Sequence, residues 1–178
     1  MTVKEFFESG IDAEIYKNVM DLAKDLPYPE AIKGKRLLPP NEMLYGHMVE
    51  LRRRLGDGSD YDVALAVGEV LLDEDVSQWP YIDYLPYMLS VSDYVVKSVE
   101  NENKRLEYKP TSDEIKAGIK KLQQFGEWGV VDSIAQRMHI LHEQVLKLRY
   151  EDVFMMQWRD MEESRFQRKL IEIKNPKS

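Results

Sequence analysis

The sequence predicts an all-α fold, and three observations carry that prediction. Apolar residues recur at three to five residue steps along most of the chain, the period of a helix with one buried face. The strict alternation of a half-buried strand is nearly absent. Helix-start and helix-stop signals also bracket the periodic stretches, most clearly Thr111-Ser112-Asp113-Glu114 after Pro110. About six or seven helices are expected in one compact domain over 1–178. The last is long and charged, with 159–178 as an exposed helical extension.

The 178 residues are 43% hydrophobic and 32% charged, with a formal net charge of −7. That balance suits a folded domain rather than a disordered chain. Zero cysteines exclude disulfides, thiolate metal sites and a cysteine nucleophile. No apolar run reaches the length of a membrane span, and Met1-Thr2-Val3-Lys4-Glu5 opens nothing like a signal sequence. A cytoplasmic protein is expected. The acidic balance disfavours binding to polyanions, although the segment from Arg137 onward carries nine Lys/Arg against seven Asp/Glu.

Along the chain, Ile11, Ile15, Val19, Leu22 and Leu26 predict an amphipathic helix from Asp12, its N-cap, to Leu26. Pro27, Pro29, Pro39 and Pro40 bracket a basic stretch, Lys33 to Arg36, read as a loop because no regular element crosses such pairs. Pro40 and Asn41 open a helix through Met48 and Leu51, stopped at Gly56-Asp57-Gly58. Asp60 is expected to cap a short helix ending at the acidic run Asp73-Glu74-Asp75, where acid at a helix C-terminus favours fraying.

Trp79-Pro80-Tyr81 and Tyr84-Leu85-Pro86-Tyr87 form an aromatic cluster expected in the core, with a surface contact patch as the other reading. A helix follows from Tyr87 to Leu106, polar after Ser98. Next comes one from the Thr111 box through Ile115, Ile119, Leu122 and Phe125. Gly126 and Gly129 flank Trp128 at a kink, and a further helix runs to Met138. The last segment, Glu143 to Ile173, ends in exposed turns.

None of the chemistry-bearing clusters makes a complete site. His139 and His142 are three apart, but the zincin order needs a glutamate between the pair, and Glu143 lies outside it. Asp57-Gly58-Ser59-Asp60-Tyr61-Asp62 approaches a calcium loop, yet Gly68 stands where the twelfth-position glutamate belongs, so it reads as a capped turn. Gly34-Lys35 lacks the upstream glycine of a phosphate-binding loop. No enzyme, metal or cofactor is expected. Val130 to Leu148 threads onto a helix-turn-helix with His139 in the turn, where His142 to Arg149 would be the recognition helix offering Gln144, Lys147 and Arg149.

Nine methionines are the more informative oddity. Met155, Met156 and Met161 share a helix with Phe154 and Trp158, and apolar residues at 153 to 156 cover more than one face. Adaptable methionines suit either gap-filling in a core or contact with varied helical partners. Phe154, Met155, Met156, Trp158, Met161 and Trp128 are the residues expected to meet a partner.

Phe125-Gly126-Glu127-Trp128-Gly129-Val130-Val131-Asp132-Ser133-Ile134-Ala135, with Val145-Leu146 and Tyr150-Glu151-Asp152-Val153-Phe154, resembles tailed-bacteriophage morphogenesis proteins, especially tail assembly chaperones. Asn41 to Leu55, with Tyr45-Gly46 ahead of an amphipathic helix, is similar to their N-terminal part. The resemblance implies a homo-oligomeric, non-virion protein of the host cytoplasm. It would coat the tape-measure protein through exposed apolar helix faces and take part in virion assembly by protein–protein contacts without catalysis. A structural head-tail connector and a helix-turn-helix regulator are the alternatives. The family also implies a frameshifted longer product, and Ile173-Lys174-Asn175 can be encoded by an A-AAA-AAC slippery heptamer.

Overall fold

The computed structural model describes residues 1–56 and 58–174, so Asp57 of the expected helix stop and Asn175 of the slippery heptamer lie outside the described residues. Among the described residues the chain is mostly helical, with ten α-helices and one small hairpin. It divides into two compact units, Met1–Ser98 and Val99–Ser178. No described helix is long and apolar enough to cross a membrane.

The first unit opens with a helix that periodicity alone does not reveal. α1 (Val3–Glu8) is six residues long and is set by a capping box, in which Thr2 accepts from the Glu5 amide and Glu5 accepts from the Thr2 amide. Its first amides also donate to the Trp79 and Ser77 carbonyls, both at 2.9 Å. Phe6, buried, stacks on Tyr81 at 4.7 Å. α2 (Ala13–Lys24) begins as expected, with Asp12 accepting from the Glu14 and Ile15 amides.

The expected loop between the prolines contains a minimal hairpin, β1 (Ala31–Ile32) and β2 (Lys35–Arg36). Lys33 and Gly34, at φ 49° and 80°, supply the positive pair that a two-residue type I′ turn requires. Two-residue strands fit between the prolines without crossing them. The basic stretch meets the acidic run, for Lys35 pairs with Glu74 at 3.1 Å and the Lys33 ammonium donates to the Gln78 carbonyl at 2.8 Å.

A 3-10 turn (Pro40–Glu42) with Pro40 at its first position leads to α3 (Tyr45–Leu55), capped at Gly56. α3 packs on α4 (Asp60–Leu72). The N-cap of α4 is Ser59, not Asp60: its hydroxyl accepts from the Asp62 amide and Asp62 answers to the Ser59 amide at 2.9 Å. The acidic end of α4 is closed rather than frayed. Asp73 takes the left-handed conformation at φ 53°, and the Asp73 and Glu74 amides reach back to the last-turn carbonyls.

α5 (Tyr81–Arg105) starts six residues before the expected Tyr87. Pro86 lies inside it, close enough to the start that the helix forgoes one hydrogen bond and continues. The aromatic cluster is core: Trp79, Tyr84 and Tyr87 are all buried. Their polar tips are satisfied, with the Tyr84 hydroxyl donating to Ala64 O at 2.8 Å and that of Tyr87 to Leu38 O at 2.9 Å. Burial pushes both phenol pKa values up.

The second unit contains the end of α5, α6 (Ser112–Ala117), α7 (Lys120–Gln123), α8 (Gly126–Met138), α9 (His142–Leu146) and α10 (Tyr150–Lys174). The single helix expected from Thr111 to Phe125 is two, because Gly118 takes φ 90° and ends α6. The final segment is likewise divided, and the long helix begins at Tyr150 rather than Glu143.

Gly68 on α4 lies in close approach to Val76 and the Glu74 carbonyl. A Cβ there would lie 2.5 Å from Val76 Cγ1 and 3.1 Å from the Glu74 carbonyl. Gly68→Ala is expected to cost about 1–3 kcal/mol in denaturant unfolding, the range for overpacking a filled site. Adding Val76→Ala should recover less than the whole loss, since the Glu74 carbonyl remains.

Candidate partner-binding groove

Helical spacing on two elements of the second unit builds an open groove of about 450 Å³. α8 supplies one wall through Gly126, Gly129, Val130, Ser133, Ile134 and Arg137, which recur at three and four residue steps on one face. α10 supplies the facing wall through Gln157, Asp160, Met161 and Ser164. Leu106 and Tyr108 complete the lining. The two glycines keep part of the α8 wall down to backbone, and nothing lies within 4 Å of where a Gly126 Cβ would stand.

Below the groove the α10 face is anchored by aromatic packing. Tyr150 and Phe154 are buried and stack at 6.2 Å, and Phe154 stacks in turn on Trp158 at 6.3 Å. The Arg105 guanidinium covers Trp158 at 4.0 Å from the ring centre, a cation–π contact that shields it from water. Arg137 and Asp160 bridge the walls with two parallel hydrogen bonds, one of 3.0 Å. Both side chains are substantially exposed, so the bridge contributes at most about 1 kcal/mol and acts mainly to fix the separation of α8 and α10.

The groove's other end is held by one carboxylate. Glu114 accepts from the Thr111 amide at 2.7 Å while the Thr111 hydroxyl accepts from the Glu114 amide at 3.3 Å, which is the capping box expected from sequence. Its second oxygen accepts from the Tyr108 hydroxyl at 2.6 Å and from Arg168 of α10 at 2.8 Å. Arg168 also lies 4.5 Å over the Tyr108 ring and donates to Lys109 O, while Arg165 donates to Glu107 O at 3.0 Å. The connection from 107 to 111 is thereby strapped to α10. Hydrogen bonds from Tyr108 and Thr111, with the nearby Arg168 charge, hold the Glu114 carboxyl at a pKa of about 2.

The six residues expected to meet a partner do not share one surface. Met161 lines the groove, Trp158 lies half-buried under Arg105, and Phe154 is core at 8% exposure. Met155 is exposed but two residues, about 200° of helix turn, from groove-lining Gln157. Met156 is half-buried. Trp128 is 57% exposed and packs against the His142 ring at 4.7 Å, outside the groove lining. Sequence reading did not single out the α8 wall, Val130, Ser133 and Ile134, although their three and four residue spacing was visible.

The two histidines have structural partners. His139, at φ 54°, is the left-handed C-cap of α8, and His142 meets Asp132 at 3.0 Å. Among the described residues no group of three or more His, Asp or Glu is arranged to hold a metal ion. His139 does occupy a turn between two helices, but α9 is only five residues, about 7.5 Å, and Lys147 already caps it. That is less than two turns, short of the recognition helix a major-groove reader lays across base edges.

No family model, curated protein or solved structure matches the chain.

The depressed Glu114 pKa fixes the sign of an acid effect. The folded value, about 2, lies below the ordinary 4.5. Glu114 therefore contributes stability that is fully present above pH 4.5 and is lost as pH falls toward 2. Amide hydrogen exchange across α6 is expected to accelerate over that window. In Glu114→Gln the acid-dependent part should vanish, with faster exchange already at neutral pH.

Proposed function

We propose that this chain is an assembly chaperone of the tailed-phage kind, a binding protein rather than an enzyme. Its groove between α8 and α10 receives an apolar helical segment of the tape-measure protein. The observation that carries the reading is the groove itself, apolar along Leu106, Val130, Ile134 and Met161 and open to solvent. Its walls are two helices, the setting in which an amphipathic helix docks by anchors at i, i+3 or i+4 and i+7. The resemblance of residues 125–135 and 150–154 to tail assembly chaperones supplies the partner, and those segments include α8 wall residues and the aromatic base of the groove.

The magnitudes suit a coat that must later leave. Three apolar anchors bury roughly 5–9 kcal/mol of gross hydrophobic free energy. Association costs on the order of 4–15 kcal/mol in lost freedom and ordering. One groove therefore holds weakly. A long helical partner with repeated apolar stripes accumulates many such contacts, and arriving tail-tube subunits displace them one at a time.

The test is capture of tagged protein from the cells that produce it, with bound proteins identified by mass spectrometry. A long helical tape-measure protein is the expected catch. Met161→Asp, which places charge in the groove, and Ser133→Trp, which fills it from an exposed position, should each reduce recovery about tenfold. Leu141→Asp, equally exposed but outside the groove lining, should not. Recovery of portal or neck proteins instead would replace this reading with a head-tail connector, and specific DNA without either would replace it with a regulator.

A further inference from the structure

α8 carries a glycine that its own fold does not require. Gly126 takes φ 45° at the helix start, a conformation that favours glycine, but Gly129 lies inside the helix without a positive φ. A Cβ at 129 would meet, among the described residues, only Phe125 Cβ, at an ordinary contact distance of 3.7 Å. Gly68 is the contrast, since Val76 and the Glu74 carbonyl exclude a side chain there. Glycine is the poorest helix former after proline, so alanine at 129 would stabilise α8 and fit without strain. What sets Gly129 apart is its place on the groove wall.

The spacing shows what the missing side chain leaves open. Gly126, Gly129, Val130 and Ser133 stand at n, n+3, n+4 and n+7, the four corners of the hole into which a facing helix inserts one side chain. Three of these corners are glycine or serine, so the hole opens down to backbone. One turn on, Val130, Ser133, Ile134 and Arg137 frame a second hole at the same spacing. That one is occupied from within the chain, for Ile134 is large and buried and Arg137 reaches across to Asp160. The α8 wall therefore offers one roomy hole and one shallow hole.

We propose that the hole over Gly129 selects a bulky apolar anchor, Phe, Trp, Leu or Met, on the helix that the groove receives. The hole belongs to the groove proposed above, so this selection rests on that reading and adds the partner feature it recognises. The neighbouring hole has no room for such a side chain. One large anchor thus fixes where along its apolar stripe the partner helix sits. Burying that side chain in place of alanine is worth tenfold or more in affinity.

A displayed library of amphipathic helices, each apolar position randomised over Ala, Val, Leu, Met, Phe and Trp, is selected on the immobilised full chain. Circular dichroism verifies the fold of every protein variant. The enriched helices are expected to share one bulky anchor and to be released by Met161→Asp. Changing that anchor to Ala should weaken binding at least tenfold. Gly129→Leu, which fills the hole from the α8 side, should be no less stable in thermal unfolding. It should bind the enriched helices at least tenfold more weakly, yet hold their Ala-anchored forms no more weakly than wild type does. Ser133→Leu, at another exposed corner of the same hole, replaces Gly129→Leu if the latter loses helicity. Enriched helices that Met161→Asp releases but Gly129→Leu binds as tightly as wild type would overturn this selection and leave the groove reading standing. A library that yields no helix released by Met161→Asp would overturn both.

Discussion

Glu114 binds in two directions at once, and the geometry of the second unit follows from that. One oxygen satisfies the first turn of α6 through Thr111, and the other receives the Tyr108 hydroxyl and the Arg168 guanidinium. A carboxylate with this many donors stays ionised to low pH. Arg165 to Glu107 O and Arg168 to Lys109 O tie the segment carrying Tyr108 to α10, and Glu114 joins that strap to the start of α6, so the wall at this end of the groove is placed by several contacts acting together. The Arg137–Asp160 bridge fixes the separation further along. The groove is therefore held by polar contacts at its margins while its interior remains apolar and unfilled.

The first unit is organised differently, around phenols and aromatic rings. Tyr84 and Tyr87 bury their rings and use their hydroxyls to tie α5 to the Ala64 and Leu38 carbonyls, which removes the cost of burying a polar tip. Trp79 packs on Tyr84 at 5.7 Å, and Phe6 on Tyr81 at 4.7 Å. These contacts explain why α5 starts at Tyr81 despite Pro86. A proline inside a helix costs about 3 kcal/mol. Burying several large side chains offsets more than that.

Capping chemistry was the most legible part of the fold, because it depends on residues three apart whose roles are local. Asp12, the Thr111–Glu114 box, Gly56 and the end of α8 at Met138 all follow from side chains adjacent to the break. Ser59 shows the limit: Ser59 and Asp60 are both good caps, and only the reciprocal bond from Asp62 selects the serine. Breaks made by a left-handed residue inside a continuous apolar period were harder to read. Gly118 divides an unbroken stripe of Ile115, Ile119 and Leu122, and nothing in that stripe announces the interruption. The hairpin was hidden for a related reason, since four strand residues are too few to show alternation.

The candidate groove was only half legible, because periodicity reports that a helix has an apolar face but not what covers it. The apolar residues at 153 to 156 cover more than one face, and the structure divides the helix's apolar side chains accordingly: Phe154 is buried in the core, Met161 lines the groove and Met155 is exposed. Conversely, Ile15, Val19 and Leu22 have the spacing of a core-facing helix, yet Ile15 and Leu22 are exposed and Val19 is only half-buried. An amphipathic stripe that its own chain does not bury costs solubility unless something else buries it part of the time. The acidic side chains beside it, Asp12, Glu14, Asp21 and Asp25, offset part of that cost by keeping like surfaces of two copies apart. The groove of the second unit differs from that stripe in being a concave apolar surface, lined by Leu106, Val130, Ile134 and Met161 and framed by polar contacts.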